Sequence, residues 1–188
     1  MESLLIKDKQ VVTAGAELDQ HQYLTFMLGG EIYAIGILCI KEIIEYGQLT
    51  VVPMMPGFVR GVINLRGAVV PVVDLSSRFG KASTGVTRRS CIVIVEAVCS
   101  EGKQDVGVAV DAVNEVLEIP ATEIEPPPSF GARIRADFIG GMGKVDGHFV
   151  IILNVDQVLS IDEMSQLSRA KCEHDDAYIR DMPLAAAA

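Results

Sequence analysis

The sequence predicts an all-β protein built as two small barrels in one folded unit. Three observations lead there. Residues 21–161 form a succession of short apolar runs, each closed by turn-forming residues such as Gly, Pro or Asp. Several runs alternate apolar with polar or small residues, the period-two pattern of a half-buried strand. Helical patterns stand out only toward the C-terminal end of the series. Many short strands at regular spacing need closure to hide their edges, and barrels provide it.

The elements follow in order. Residues 1–20 are polar, lack a sustained period and read as a mobile leader. Residues 22–28 alternate Leu24, Phe26 and Leu28 against Tyr23, Thr25 and Met27, then stop at Gly29-Gly30. That pattern predicts a strand, a tight turn and a second strand over residues 31–35. Ile40, Ile43 and Ile44 also fit a helical face, but isoleucine enrichment and the stop at Gly47 favour a strand over residues 40–46. Pro53 and Pro56 force an irregular link. Residues 61–65 and 68–73 read as a hairpin turned at Arg66-Gly67. Pro71 cannot donate a ladder hydrogen bond, so its place should be an edge or a bulge.

A break at residues 76–89 divides the 21–161 region, with the chain free to cross between barrels. Strands are expected at residues 91–98 and 105–110, where Val106, Val108 and Val110 alternate against Gly107 and Ala109. After Leu117-Glu118-Ile119, a proline run opens a loop reaching Arg135. Strands at residues 138–145 and 149–153, turned at Asp146-Gly147, close the series. A short helix is expected at residues 156–159. Residues 162–188 read as a C-terminal helix, capped by Asp162, and a flexible tail.

The 188 residues are 49% hydrophobic and 22% charged, a globular balance that argues against a disordered chain. Sixteen Lys and Arg against 25 Asp and Glu give a charge of -9, so the clustered cations that hold nucleic-acid phosphates are not expected. No apolar run reaches the roughly 18 residues of a membrane span; the longest, residues 32–40, is closed by Lys41 and Glu42. The first residues carry no basic stretch followed by an apolar one, which predicts a cytoplasmic protein without export. Cys91 and Cys99 lie too far apart along one predicted strand to bond, and no Cys-x-x-Cys pair occurs. Buried or incidental thiols are the expectation.

Catalytic arrangements are not found. A phosphate-cradling loop around Gly143-Lys144 would need Gly and a hydroxyl where the chain has Phe138 and Val145. Gly140-Gly141-Met142-Gly143 instead reads as a flexible or closely packed strand segment. No Gly-x-Ser-x-Gly elbow occurs, and His21, His148 and His174 lack the spacing of metal ligands, so no cofactor or metal is expected. One alternative stays open: a small β-barrel ligand-binding or enzymatic domain whose site is assembled from scattered residues.

The densest cluster of unusual residues is Val59-Arg60-Gly61-Val62-Ile63-Asn64-Leu65-Arg66-Gly67, continuing through Pro71-Val72-Val73-Asp74-Leu75. Taken alone, Arg66 is a solvated turn cation worth under about 1 kcal/mol in an exposed pair. As a pattern, the run resembles the signature of the CheW family, the coupling proteins of bacterial chemosensory arrays. Tyr23-Leu24-Thr25-Phe26, Val52-Pro53, Val106-Gly107-Val108-Ala109-Val110-Asp111, Phe138-Ile139-Gly140-Gly141 and Ile152-Leu153-Asn154-Val155 are similar to further family motifs. Ser76-Ser77 departs from the pattern, where a basic residue is common.

The resemblance implies two intertwined SH3-like five-stranded β-barrels with short helices and a C-terminal helix, and no catalysis. It implies two partners: the regulatory domain of the histidine kinase CheA and the cytoplasmic tip of methyl-accepting chemoreceptors. Receptor binding would fall to Ile40, Glu42, Arg66 and Val116, and kinase binding to Ile43, Tyr46, Val51 and Pro53. A groove between barrels can take the apolar face of a receptor helix. In it Ile40 would supply apolar contact, while the Arg66 fork, held by Glu42, would address carboxylates.

Overall fold

Period-two runs become strands wherever both of their faces find cover. The computed structural model describes residues 21–83, 85–99, 102–127, 134–160 and 163. Along them run β1 (Gln22–Leu28), β2 (Glu31–Gly36), β3 (Ile40–Glu45), β4 (Val59–Leu65), β5 (Ala68–Asp74) and β6 (Cys91–Cys99). These are followed by β7 (Gly102–Val110), β8 (Ala112–Glu118), β9 (Ile124–Glu125), β10 (Ile139–Val145) and β11 (His148–Leu153). Two one-turn helices, α1 (Leu75–Arg78) and α2 (Val155–Val158), follow the hairpins β4–β5 and β10–β11. The leader expected at residues 1–20 lies outside the described residues. So does the helix expected from Asp162, apart from Glu163.

The strands form two sheets, ordered β8-β1-β2-β11-β10-β9 and β3-β6-β7-β5-β4. Each sheet borrows a hairpin from the other half of the chain. β1–β2 pairs antiparallel with β8 and parallel with β11, while β6–β7 pairs antiparallel with β3 and parallel with β5. That exchange is the intertwining the resemblance implies. The second sheet closes on itself: Thr50, just past β3, bridges Val62 on β4 through backbone bonds of 2.9 and 2.8 Å. In the first, the two ends meet through side chains: Ile119, just past β8, shares a core with Ile124 of β9, and a side chain at Gly143 of β10 would stand 3.0 Å from Ile119 Cδ1. This sheet holds six strands instead of the expected five, because the two-residue β9 pairs with Met142 and Gly143 of β10.

Alternation then divides the apolar residues among three cores. Leu24, Phe26, Leu28, Tyr33 and Ile35 of β1–β2 and Val93, Val95, Val106, Val108 and Val110 of β6–β7 share one core between the sheets, to which α1 and α2 add Leu75, Val155 and Val158. The intervening residues face inward. Val70, Val72, Ile92, Ile94 and Ala109 fill one barrel, and Ala34, Ile119, Val150 and Ile152 fill the other. Each fully buried side chain of this size contributes about 1.5–3 kcal/mol. Two-sided burial explains why so many strands read as near-continuous apolar runs.

Pro71 corrects one expectation. β5 is not an edge strand, since it lies between β7 and β4. Val62, opposite Pro71, turns both its backbone groups toward Thr50, so the imide nitrogen of Pro71 faces the β7 side. Pairing with β7 begins only at Val72, so no ladder bond is lost. The β4 bulge falls between Val59 and Gly61. Gly61, at φ +149°, lies against the Thr50 backbone with no room for a side chain.

The two barrels also repeat each other. Hairpin β4–β5 with α1 and hairpin β10–β11 with α2 match at constant spacing: Gly61 with Gly141, Arg66-Gly67 with Asp146-Gly147, Val69 with Phe149. Both hairpins carry a bulge at the same place, between Val59 and Gly61 and between Ile139 and Gly141. Both end in a capped helix, Asp74 accepting the Ser77 N–H and Asn154 that of Gln157.

Candidate docking surface

The signature hairpin is tied at its tip and at its base. At the tip, Arg66 (φ 52°) and Gly67 (φ 91°) both take the left-handed conformation, forming the two-residue turn whose twist suits a hairpin. Asn64 Oδ1 accepts the Gly67 N–H at 2.8 Å and fixes that turn. Arg66 therefore projects outward with 80% of its side chain exposed, and its Nη2 donates to Glu42 on β3 at 2.9 Å. The contact joins the β4–β5 turn to the strand at the opposite end of the same sheet order, which barrel closure makes possible.

At the base, Arg60 and Asp74 form a buried pair. Arg60 donates through Nε and Nη2 to Asp74 Oδ2 at 2.9 and 2.7 Å, and through Nη1 to the Tyr46 hydroxyl at 3.2 Å. Ser83 Oγ donates to the same carboxylate at 2.6 Å and also accepts from Arg60. Burial works against the charged Asp74 carboxyl. The Ser83 and Arg60 hydrogen bonds and the Arg60 charge overcome it and hold that carboxyl below its ordinary range.

The receptor-assigned residues divide. Glu42 and Arg66 are in direct contact, and Ile40, three-residue neighbour of Ile43 on β3, packs its side chain on the core between the sheets. Val116 stands on β8 of the other barrel, opposite Leu24. Register makes Val116 the repeat-mate of Ile43: Val116 faces Leu24, which faces Ile35, as Ile43 faces Val93, which faces Val108. The two side chains are similarly exposed, at 47% and 43%.

The kinase-assigned residues lie on β3 and the link after it. Ile43 points outward, and Val51 and Pro53 are exposed, Val51 at 77%. Tyr46 differs. It is half-buried against the barrel core, its ring lies 5.8 Å from the Arg60 guanidinium, and its hydroxyl accepts from Arg60. A charge placed at Tyr46 would disturb the hairpin base as well as any docking face, so Val51 is the cleaner position for testing that surface.

Arg60, Asp74 and Arg78 were not singled out from sequence. Counting outward from the Arg66-Gly67 turn would have brought Arg60 near Asp74 across the hairpin. Gly140-Gly141-Met142-Gly143 is the closely packed strand segment expected, since a side chain at Gly141 would stand 2.5 Å from Ile124 Cγ2. Among the described residues no three His, Cys, Asp or Glu converge as metal ligands, and no helix is long and apolar enough to cross a membrane.

Small barrels whose charged groups tie hairpins together, and which present an outward arginine and exposed aliphatic side chains, define a protein-docking module. The family model for the CheW-like domain matches residues 22–163. The chain is 32% identical over 161 residues to chemotaxis protein CheW of Klebsiella aerogenes, covering 86% of this chain and 94% of that one. It is 35% identical over 136 residues to chemotaxis protein CheW of Bacillus subtilis, covering 72% and 85% respectively. The crystal structure of the scaffolding protein TtCheW from Thermoanaerobacter tengcongensis matches with a TM-score of 0.67 at 35% identity, over 75% of this chain and 88% of that one. The chain belongs to the CheW family.

Proposed function

We propose that this protein is a non-enzymatic cytoplasmic adaptor that couples methyl-accepting chemoreceptors to the histidine kinase CheA. Residues 21–161 act as the docking unit, with residues 1–20 a leader and residues 162–188 an appended segment. Ile40, Glu42, Arg66 and Val116 take the receptor tip. Ile43, Val51 and Pro53, with Tyr46 as a partly buried support, take the kinase regulatory domain.

The observation that carries this reading is the Arg66–Glu42 contact. It presents a forked cation, held in direction by a carboxylate, beside β3, on which Ile43 is exposed and Ile40 is partly buried against the core. A receptor helix with an acidic residue beside its apolar stripe fits that arrangement. Coupling then requires that both partners sit on one body, each altering the free energy of the other's states.

Reconstitution tests it. Kinase autophosphorylation measured with receptor should respond to receptor state only when this chain is added. A Val51→Asp variant should bind the kinase regulatory domain about tenfold or more weakly and keep its receptor affinity. Kinase activity indifferent to the chain would overturn the reading.

A further inference from the structure

The core between the barrels is almost wholly aliphatic and aromatic, and apolar contact is non-directional. The exchanged hairpins and this packing hold the barrels together, and directed bonds such as Val98 N–H to Asp156 Oδ1 at 3.2 Å add to them at the edge of the junction. Among the described residues, Lys81 and Arg78 both carry charge from the β4–β5–α1 unit toward the other barrel: Lys81 Nζ bonds Glu31 and the Tyr33 hydroxyl of β2 at 2.6 and 3.2 Å near the surface, and Arg78 lies deeper. Arg78, the last residue of α1, is 5% exposed, and its guanidinium lies 4.8 Å from the Phe58 ring centre and 4.9 Å from that of Phe138. Its Nε donates to the Val158 carbonyl on α2 at 3.1 Å, and its Nη2 donates to Glu163 at 2.6 Å.

The repeat shows what is unusual. Phe58, just before β4, and Phe138, just before β10, are repeat-mates. So are Arg78 and Val158, the last residues of the two helices. The guanidinium thus lies where the two repeats meet, stacked between equivalent rings and bonded to its own repeat-mate. A second aliphatic residue would have preserved the symmetry and the burial. An arginine adds planarity and directed donors, which fix an angle as well as a distance. Arg135, 4.6 Å from the same Phe138 ring, pairs with Glu163 at 2.5 Å and closes the outer side of the cluster.

We propose that Arg78 is a positioning residue that pins the two barrels in one mutual orientation, and that this orientation transmits receptor state to the kinase. The transmission part rests on the coupling role proposed above. The pin itself does not. Partners docked on a junction free to rotate would still bind, but neither would alter the other's equilibrium.

The test uses the full chain with spin labels on unnatural residues at positions 69 and 149, repeat-mates on the outer hairpins of the two barrels. Arg78→Met keeps the stem and removes the fork; Arg78→Lys keeps a charge for Glu163 but loses the planar sandwich. Both should broaden the label-to-label distance distribution. Each pairwise affinity should stay unchanged while receptor control of kinase activity falls about fivefold or more. Should Arg78→Met fail to fold, Arg78→Lys carries the same comparison. A distribution as narrow as the parent's overturns the pin, and a broadened one with full kinase control overturns its role in transmission. If the parent chain binds neither partner, the adaptor reading fails, and the distance measurement still decides whether Arg78 pins the barrels.

Discussion

Asp74→Ala should lower the free energy of unfolding by about 3 kcal/mol or more, the cost of stranding one member of a buried ion pair. Asp74 is 2% exposed and its carboxylate receives Arg60 twice and Ser83 once. Removing it leaves the Arg60 guanidinium without this carboxylate partner in a mostly buried place and also deletes the cap of α1. Asp74→Asn keeps the cap oxygen but loses the charge, and should fall between alanine and the parent. The pH dependence has a definite sign. Because the folded carboxyl titrates below its ordinary value, its contribution is full above the unfolded pKa, about 3.9, and is lost as pH falls through the folded value. Denaturant unfolding at a series of pH values should therefore show parent stability dropping toward acid more steeply than that of Asp74→Asn. Parallel curves would mean that the pair contributes no pH-dependent stability.

Arg66→Ala should weaken binding of a receptor hairpin fragment by about 2 kcal/mol, close to thirtyfold, while leaving thermal stability nearly unchanged. The two effects separate because of exposure. The Arg66–Glu42 pair is solvent-facing, and such pairs contribute under about 1 kcal/mol to folding, whereas a forked cation enclosed by a partner can be an interface anchor. Glu42→Ala should reduce receptor affinity less, since the fork loses only its guide. Calorimetry with the fragment checks both, alongside melting curves. An Arg66→Ala protein that melts normally and binds receptor as tightly as the parent would reduce Arg66 to a surface partner of Glu42.

Most of the strands were legible because this fold depends on period-two alternation and two-residue turns. Leu24, Phe26 and Leu28 point to one core as their spacing requires, and both Arg66-Gly67 and Asp146-Gly147 turn hairpins where glycine follows a residue able to adopt positive φ. Pro71 misled because a proline's tolerance depends on where the neighbouring ladder begins, and that is a long-range fact about β7. β9 went unseen because its two residues carry no period; it exists only because β10 offers an edge.

The site divides in the same way. Glu42 and Arg66 could be named from the family signature, but their contact depends on barrel closure, and local pattern does not encode closure. The repeat is not legible in local pattern because it is kept in bulge glycines, turn glycines and helix caps, while side chains as different as Val69 and Phe149 occupy matching places. Arg78 was illegible for a related reason. Its partners Phe58, Phe138, Val158 and Glu163 come from four separate segments.

The most direct measurement is a titration of the kinase regulatory domain into this chain, alone and again with the chain saturated by a receptor hairpin fragment. An adaptor with separate docking faces on one rigid body should bind the kinase domain in both titrations, forming a ternary complex whose affinity shifts with receptor state. Absence of binding in both, or complete displacement of one partner by the other, would contradict it.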